Sequence, residues 1–384
     1  MSWIAEGSAK IVVEGRHDSR IESKMVFFYP HSYLRDRQLD VIRRWTGSKV
    51  LNPDLATGRT GSQVSRDRAL ANRTRLPLHQ RLPLINVKLR PRGLPRNAAV
   101  YVWGGIVATG LFILDLDNPY ALTGYNLRAM SIYRKILAAL LRRPRCLDIY
   151  CLSRACRETL GLLFGPGIYE RARVRYPYVR RTVDRFPGVA SQTGCRFLFV
   201  GTQFEIKGGR ALLRAFRRVH DLDPAAKLTV VTHLPTEYSE LANSSGVALY
   251  PAEFSRDEIV SRFILNADVL VHPTYMESFG MVVLEAIAHG VAVISTDVYA
   301  LPEMVRDGIN GTLLKPPVSA WKGYAPSVHY FDSARLKTRV KGTDTQAFEA
   351  ALADAMIRLA SDKPRLEKAR QASWELFERE FAAE

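Results

Sequence analysis

The stretch HPTYMESFGMVVLEA, residues 272–286, reads as a strand end, a tight Ser-Phe-Gly turn and the opening of a helix. Two carboxylates, Glu277 and Glu285, bracket that turn. The amides that open a helix have no intrahelical acceptor, and they point outward with the positive end of the helix dipole. Ser278, Phe279, Gly280, Met281 and Val282 therefore form a ready seat for a phosphate. Gly280 lets the backbone approach a ligand closely. Glu285 lies one turn beyond Met281 and projects beside the same mouth. A carboxylate accepts two hydrogen bonds at once, which suits a vicinal diol such as a ribose. Glu277, just ahead of the helix, can hold the hydroxyls of a sugar in the same way.

Around this stretch, strands and helices alternate. RFLFVG (196–201), AKLTVVTH (226–233), VALYP (247–251), DVLVHPT (268–274), VAVIST (291–296) and GTLLKP (311–316) have strand composition. Helical spacing covers 209–221, 279–289, a short piece near 302–306, and two terminal segments at 345–361 and 364–382. Ser255 and Glu258 form a capping box that opens a further helix running to about Asn266. Residues 318–343 interrupt the alternation with aromatic and basic residues. Alternation of this kind builds a parallel sheet with helices on both faces, and such sheets bind ligands beyond the carboxyl ends of their strands. After RFLFVG comes TQFEIKGG (202–209), where Lys207 with Gly208 and Gly209 offers a cation and free amides to a diphosphate. Both loops follow parallel strands and open on one edge. Two acids eight residues apart are usually surface groups, and a Lys-Gly-Gly turn usually starts a helix. Their order on one sheet is what makes them specific.

The first half is less regular. MVFFYP (25–30), AVYVW (99–103), GLFILDLDN (110–118) and DIYCLS (148–153) read as strands, with helices through 39–45, 125–141 and on to about Phe164. RVRYPYV (173–179) is extended and leads into RFPGVASQTG (185–194), a Pro- and Gly-bearing linker. The expected organisation is an extension at 1–24, a first domain at 25–185, a linker at 186–194, a second domain at 195–363 and a closing helix at 364–384.

FVGTQFEIKGGRALLRAF, followed about sixty residues on by HPTYMESFGMVVLEAIAHGVAVISTDVYALPEMVRDGINGTLL, resembles the donor half of glycosyltransferase family 4. The family's E-x(7)-E element corresponds to Glu277–Glu285. The resemblance covers roughly 195–315, and ARVRYPYV and DIYCLSRACRETL resemble the end of the family's first domain. It implies a GT-B fold of two Rossmann-like, doubly wound α/β domains facing a cleft, with the C-terminal helix returning to the first. It implies retaining transfer from a nucleotide sugar (UDP- or GDP-linked) without a metal or other cofactor, with Lys and the helix dipole taking the charge. Lys207 would hold the donor phosphates, Glu277 the donor sugar, Glu285 the ribose, and residues 278–282 backbone contacts. Three departures stand out. The family's Arg five residues before the phosphate Lys is Thr202 here. The first-domain loop FFYPHSYLRDRQ (27–38) has no glycine. A first-domain His facing the sugar is absent, and Asp117, in ILDLDNPY, is the acid expected to face the cleft in its place. Tyr250, at a strand end on the nucleotide side, is a candidate contact for the base. His31, His233 and His272 lie at strand ends, where a surface or structural role is the ordinary reading.

Charge is uneven. Residues 1–190 hold 33 Lys and Arg against 14 Asp and Glu, whereas 191–384 hold 22 against 24, within a net charge of +17. Such a field attracts phosphates, nucleic acid or an anionic membrane face. A nucleic-acid binder is disfavoured because no binding motif accompanies the charge. The Arg-rich 59–96 segment, including Arg90, Arg92 and Arg96, and the basic helix face with Arg142 and Arg143 are the expected acceptor- or membrane-facing regions. The four cysteines, Cys146, Cys151, Cys156 and Cys195, include no C-x-x-C pair, which argues against zinc and for a reducing cytosol. No leader and no spanning segment is read from the sequence, so membrane contact is expected to be peripheral, at the inner face, with a lipid-linked or glycan acceptor.

Overall fold

The computed structural model describes residues 25–31, 34–46, 48–57, 82–188, 193–327 and 333–382. The expected extension at 1–24, most of the Arg-rich run at 59–81 and the middle of the linker lie outside the described residues. Two parallel sheets form two lobes. The first contains β1 (Val26–Phe28), β3 (Ala99–Trp103), β5 (Leu111–Leu116), β6 (Cys146–Cys151) and β7 (Ala172–Val174), in that order. Beside it, β2 (Val87–Lys88) pairs with β4 (Ile106–Val107). The helices of this lobe are α1 (Asp36–Arg43), α2 (Leu127–Arg142), α3 (Arg154–Phe164) and α4 (Pro166–Arg171).

The second sheet has the order β10-β9-β8-β11-β12-β13, where β8 is Arg196–Gly201, β9 Lys227–Thr232, β10 Val247–Tyr250, β11 Val269–His272, β12 Ala292–Thr296 and β13 Gly311–Leu314. Helices α5 (Gly209–Leu222), α6 (Met281–Ala288) and α7 (Leu301–Met304) connect these strands, and α8 (Ser333–Gly342), α9 (Gln346–Ser361) and α10 (Lys363–Glu380) follow. The period-2 pattern of the strands explains the burial. Phe197, Phe199, Val269 and Val271 enter one core layer, while Leu198 and Leu270 enter the layer on the opposite face. The first sheet does the same, with Val100 and Val102 on one face and Ala99, Tyr101 and Trp103 on the other.

From β8 the chain proceeds outward through β9 to β10, then returns to place β11 on the other side of β8. The sheet therefore has its switch point between β8 and β11, and the loops after those two strands lie side by side. That adjacency is what the two sequence motifs required.

Some elements differ from expectation. Helix α6 begins at Met281, not Phe279, because Gly280 takes a left-handed φ of +97° and stops the helix there. The capping box at Ser255 forms as read, but the helical stretch it opens becomes a π turn at 259–263 and a 3-10 turn at 264–266. Residues 318–343 hold a small hairpin, β14 (Trp321–Lys322) with β15 (Ala325–Pro326), and then α8. Helix α10 packs on α6 and β12, and Arg370 anchors it by donating to the Gly290 carbonyl and pairing with Asp268 at 3.3 Å, both side chains 1% exposed. Its C-terminal half meets the first lobe, where Arg181 donates to the Trp374 carbonyl at 2.9 Å and pairs with Glu378 at 2.6 Å, and Arg154 pairs with Glu380 at 3.0 Å.

Candidate active site

A cleft of about 450 Å³ opens at the switch point and faces the first lobe. Thr202, Glu277, Ser278, Phe279, Gly280, Met281, Val282 and Glu285 line it from the second lobe, and Arg35, Arg37 and Asp117 from the first. A hollow of about 400 Å³ elsewhere, beside Arg358 and Lys368, touches neither loop. The expected residues of the 272–286 stretch and Asp117 thus meet in one cavity, of a size usual for small-molecule sites.

Glu277 is a tightly tethered carboxylate. Its Oε2 receives Lys207 Nζ at 2.7 Å and His272 Nε2 at 3.0 Å, and its Oε1 receives the Ser278 amide at 3.1 Å. Its backbone carbonyl accepts from Trp321 Nε1 at 2.8 Å, and the Trp321 ring stacks on Tyr299 at 3.8 Å. Burial alone would raise the Glu277 pKa, but the Lys207 charge and the His272 hydrogen bond hold it well below the usual carboxylate range. Burial lowers the pKa of His272 in turn, so this imidazole is neutral and gives its Nε2–H to Glu277. Lys207 stands behind Glu277 and also donates to the Met276 carbonyl at 3.1 Å.

The amides of the Lys207 loop are not free, as the sequence reading had them. Gly208 N–H donates to Glu205 O and Gly209 N–H to Phe204 O. The glycine has another purpose. Gly208 sits at φ +80°, and a Cβ there would lie 2.1 Å from the Pro273 carbonyl oxygen, so it lets the two loops touch. At the mouth of α6, by contrast, no described acceptor takes the amides of Gly280, Met281 and Val282.

Glu285 is buried, and one oxygen receives Arg256 Nε at 2.6 Å. Arg256 also pairs with Asp40 of α1 at 2.7 Å and donates to the Tyr178 carbonyl at 2.9 Å. Burial pushes the Glu285 carboxyl up to about 7, with Arg256 pulling against it.

On the first lobe, Asp117 accepts from Tyr125 Oη at 3.2 Å and from the Asn118 amide at 2.8 Å. Tyr125 holds a φ of +66°, a costly conformation for a bulky residue and one that concentrates at functional sites. Asn118 Nδ2 reaches Ser278 Oγ at 3.5 Å, across the cleft. Asp115 is buried beneath, holding Tyr101, Arg175 and, at 3.5 Å, Arg37 Nη1. Among the described residues that Arg37 nitrogen has no hydrogen-bond partner.

Other expected residues lie elsewhere. Tyr250 is set back from the lining, and Phe254 takes that place, with Tyr250 and Phe263 edge-on behind it at 6.4 and 4.9 Å. His31 packs against Trp103 at 5.8 Å, and burial lowers its pKa to about 4. Arg90 staples its own loop by donating to Ala98 O and Pro95 O, because the chain turns back there, so it is not a free surface cation. Arg92, Arg96 and Arg143 are exposed, and Arg142 is exposed while donating to Phe164 O. The amphipathic stripe of α2 divides: Leu137 and Leu141 are in the core, and Ile132 and Ile136 face outward. Among the described residues no three His, Cys, Asp or Glu side chains gather as a metal site, all four cysteines are buried free thiols, and no helix is long and apolar enough to cross a membrane. Sequence reasoning missed Arg256, Asp40, Trp321 and Arg37. Each reaches the site from an element distant in sequence, and only the capping box at Ser255 hinted at the first.

Two facing parallel α/β lobes, with a switch-point cleft between them, define the GT-B class of architecture. Residues 194–325 match the family described as "Glycosyl transferases group 1". The chain is 36% identical over 132 residues to a D-inositol 3-phosphate glycosyltransferase of Thermobifida fusca, covering 30% of each chain. It is 32% identical over 158 residues to the lipopolysaccharide glucosyltransferase WaaG of Escherichia coli, covering 40% of this chain and 42% of that one. These alignments span less than half of either relative. Over nearly the whole chain the fold is similar to Anabaena Alr3699/HepE, whose structure is in complex with UDP and glucose (12% identity, 93% and 95% coverage, TM-score 0.56), and to the lipopolysaccharide outer core galactosyltransferase WaaB (15%, 92% and 98%, 0.51).

Proposed function

We propose that the chain is a retaining glycosyltransferase that moves a hexose-type sugar from a UDP- or GDP-sugar to a lipid-linked or polysaccharide acceptor at the cytoplasmic face of a membrane. The convergence of the 202–208 and 273–280 loops at the switch point, with Lys207 bonded to Glu277 and Glu285 in the same cleft, carries this reading. The nucleoside diphosphate lies along the mouth of α6, its phosphates on the amides of Gly280, Met281 and Val282. Glu285 holds the ribose through its second oxygen, the base lies against Phe254, and the sugar extends past Glu277 toward Asp117.

The reaction then consists chiefly of stabilising the departing diphosphate while the acceptor hydroxyl attacks from the same face. Lys207 lies in contact with Glu277, so part of its charge is neutralised. Thr202 supplies none. Arg35 and Arg37, on the opposite wall, provide the remaining positive charge in this reading, which assigns the phosphates to side chains and a helix terminus and uses no metal. The first lobe takes the acceptor. Exposed Leu82, Leu84 and Leu89, with Ile132 and Ile136, lie in the same lobe as Arg92, Arg96 and Arg143, the mixture of apolar and basic groups that binds an anionic lipid surface.

A melting-temperature panel with UDP, GDP and ADP tests the donor site. A ligand at 100 times its Kd that binds only the native form adds about 2.7 kcal/mol of stability, a rise of several degrees. A flat response to all three counts against the donor site. Co-sedimentation with phosphatidylglycerol vesicles but not phosphatidylcholine vesicles is expected, and equal binding to both removes the membrane assignment.

A further inference from the structure

We infer that Arg256 is a positioning residue that couples the ribose-binding carboxylate of Glu285 to the docking of the first lobe, so that closing the lobes and seating the nucleotide are one event. The inference rests on the donor-site reading above.

Arg256 stands at the start of the 256–266 turn, just after the Ser255 cap. Each arm of its guanidinium is used. Nε donates to Glu285 at 2.6 Å, Nη1 to Asp40 on α1 of the first lobe at 2.7 Å, and Nη2 to the carbonyl of Tyr178 in the crossover between lobes at 2.9 Å. The three acceptors belong to the second lobe, the first lobe and the connection between them. A planar fork with fixed donor directions satisfies all three only when the lobes stand in this one relation. Arg256, Asp40 and Glu285 are all largely buried, at 19, 16 and 7% exposure, so the bonds are poorly screened.

The Arg256 fork fixes one oxygen of Glu285 and leaves the second for a diol. It also offsets the cost of burying that carboxylate. Asp36 and Asp40 on α1 both oppose its ionisation, and Arg35 and Arg37 beside them line the same cleft. His289, one turn further along α6, lies with Nδ1 2.7 Å from the Glu285 carbonyl oxygen, and Thr182 donates its amide to the Nε2 of that ring, so His289 is neutral. Arg256 is therefore the cation that sustains the charged, hydrogen-bond-accepting form of Glu285. An open lobe arrangement, with Asp40 withdrawn, leaves Arg256 without its second anchor.

The test is the pH dependence of UDP and GDP binding by calorimetry with the full chain. In the parent, affinity rises with pH as Glu285 ionises. Arg256→Gln is expected to lower nucleotide affinity at pH 7 by ~10-fold or more and to move the midpoint of that rise upward by about one pH unit or more, the usual effect of losing a close opposite charge. Arg256→Lys is expected to restore the midpoint without the full affinity, because one ammonium cannot serve three acceptors. Asp40→Asn, a conservative change outside the cleft lining, is expected to move the midpoint downward. A role confined to fold stability leaves the Arg256→Gln midpoint at the parental value. If the parent binds nucleotide and the Arg256→Gln and Asp40→Asn midpoints coincide with it, the coupling is wrong and the donor site stands. If the parent binds neither UDP nor GDP, the donor-site reading fails and takes this inference with it.

Discussion

At the scale of single residues, the site is built from acids that hold their charge for opposite reasons. Glu277 is held ionised because a lysine and a neutral histidine converge on one of its oxygens, whereas burial raises the Glu285 carboxyl to about 7 and one arginine pulls against that rise. Lys207→Ala removes both the cation for the leaving group and the tether of Glu277. Turnover is expected to fall ~10²-fold or more, the range for a lost electrostatic contact in a transition state. Steady-state kinetics with excess donor measure it, and unchanged turnover excludes Lys207 from the chemistry. Glu285→Gln has a second signature. The folded-state pKa of Glu285 is raised from 4.5 to about 7, so the folded protein holds a proton that the unfolded chain has lost between those values, and ionised Glu285 reduces stability as pH rises across that window. The glutamine variant is therefore expected to melt higher than the parent at pH 7.5, with the gain vanishing by pH 4.5, while its nucleotide affinity falls. Melting curves across pH check the first half, and a difference independent of pH contradicts it.

At the scale of elements, the loops matter more than the strands. Gly208 is the point where the two site loops touch. Gly208→Ala places a Cβ at φ +80° and 2.1 Å from a backbone oxygen, so the loop must shift. The conformational cost alone is about 1–2 kcal/mol. The expected outcome is a folded protein with a lowered melting point and a larger loss of turnover than of nucleotide affinity, because Lys207 moves away from Glu277. Parent-like kinetics would mean that the loop tolerates the displacement. The strands and the helices that follow them were legible because period-2 and period-3.6 burial are written in the residues: RFLFVG and Arg196–Gly201 coincide. The turns around α6 were legible in type but not in extent, because a left-handed glycine rather than apolar spacing sets the helix start. The hairpin carrying Trp321 was not legible. Two two-residue strands leave no periodicity, and the contact that gives the segment meaning, an indole N–H on the Glu277 carbonyl, spans 44 residues. Arg256, Asp40 and Arg37 escaped for the same reason: pairing across lobes has no spacing signature in one sequence.

At the scale of the whole molecule, the lobes are joined by a seam of polar contacts behind the cleft. Its centre is Glu303 of α7. From the second lobe, its carboxylate accepts the amides of Arg154 and Ala155 at 2.9 and 2.8 Å, capping α3 of the first lobe, and receives Tyr176 Oη at 2.8 Å. Ser153 caps the same helix end from within the first lobe by accepting from Cys156. The first turn of α3 thus has an acceptor on each side, and the one from the second lobe forms only when the lobes are docked. Thr159 Oγ1 adds a contact with Tyr299 Oη at 3.0 Å. Glu303→Ala strips the buried amide of Ala155, the part-buried amide of Arg154 and a phenol of their acceptor, and each unmet buried donor costs about 1–3 kcal/mol. Because the loss falls on the seam and leaves both cores intact, the melting transition is expected to move down and to broaden or divide, the lobes unfolding with less cooperation than in the parent. Calorimetry shows the difference: a single sharp transition at the parental temperature would mean that the seam does not bind the lobes together. Glu303→Gln keeps acceptor oxygen for one amide and is expected to recover part of the shift. The position of Glu303 behind the cleft separates it from the nucleotide contacts, so UDP or GDP affinity in the alanine variant should fall only through looser lobe docking, and a bound nucleotide should restore part of the lost cooperativity.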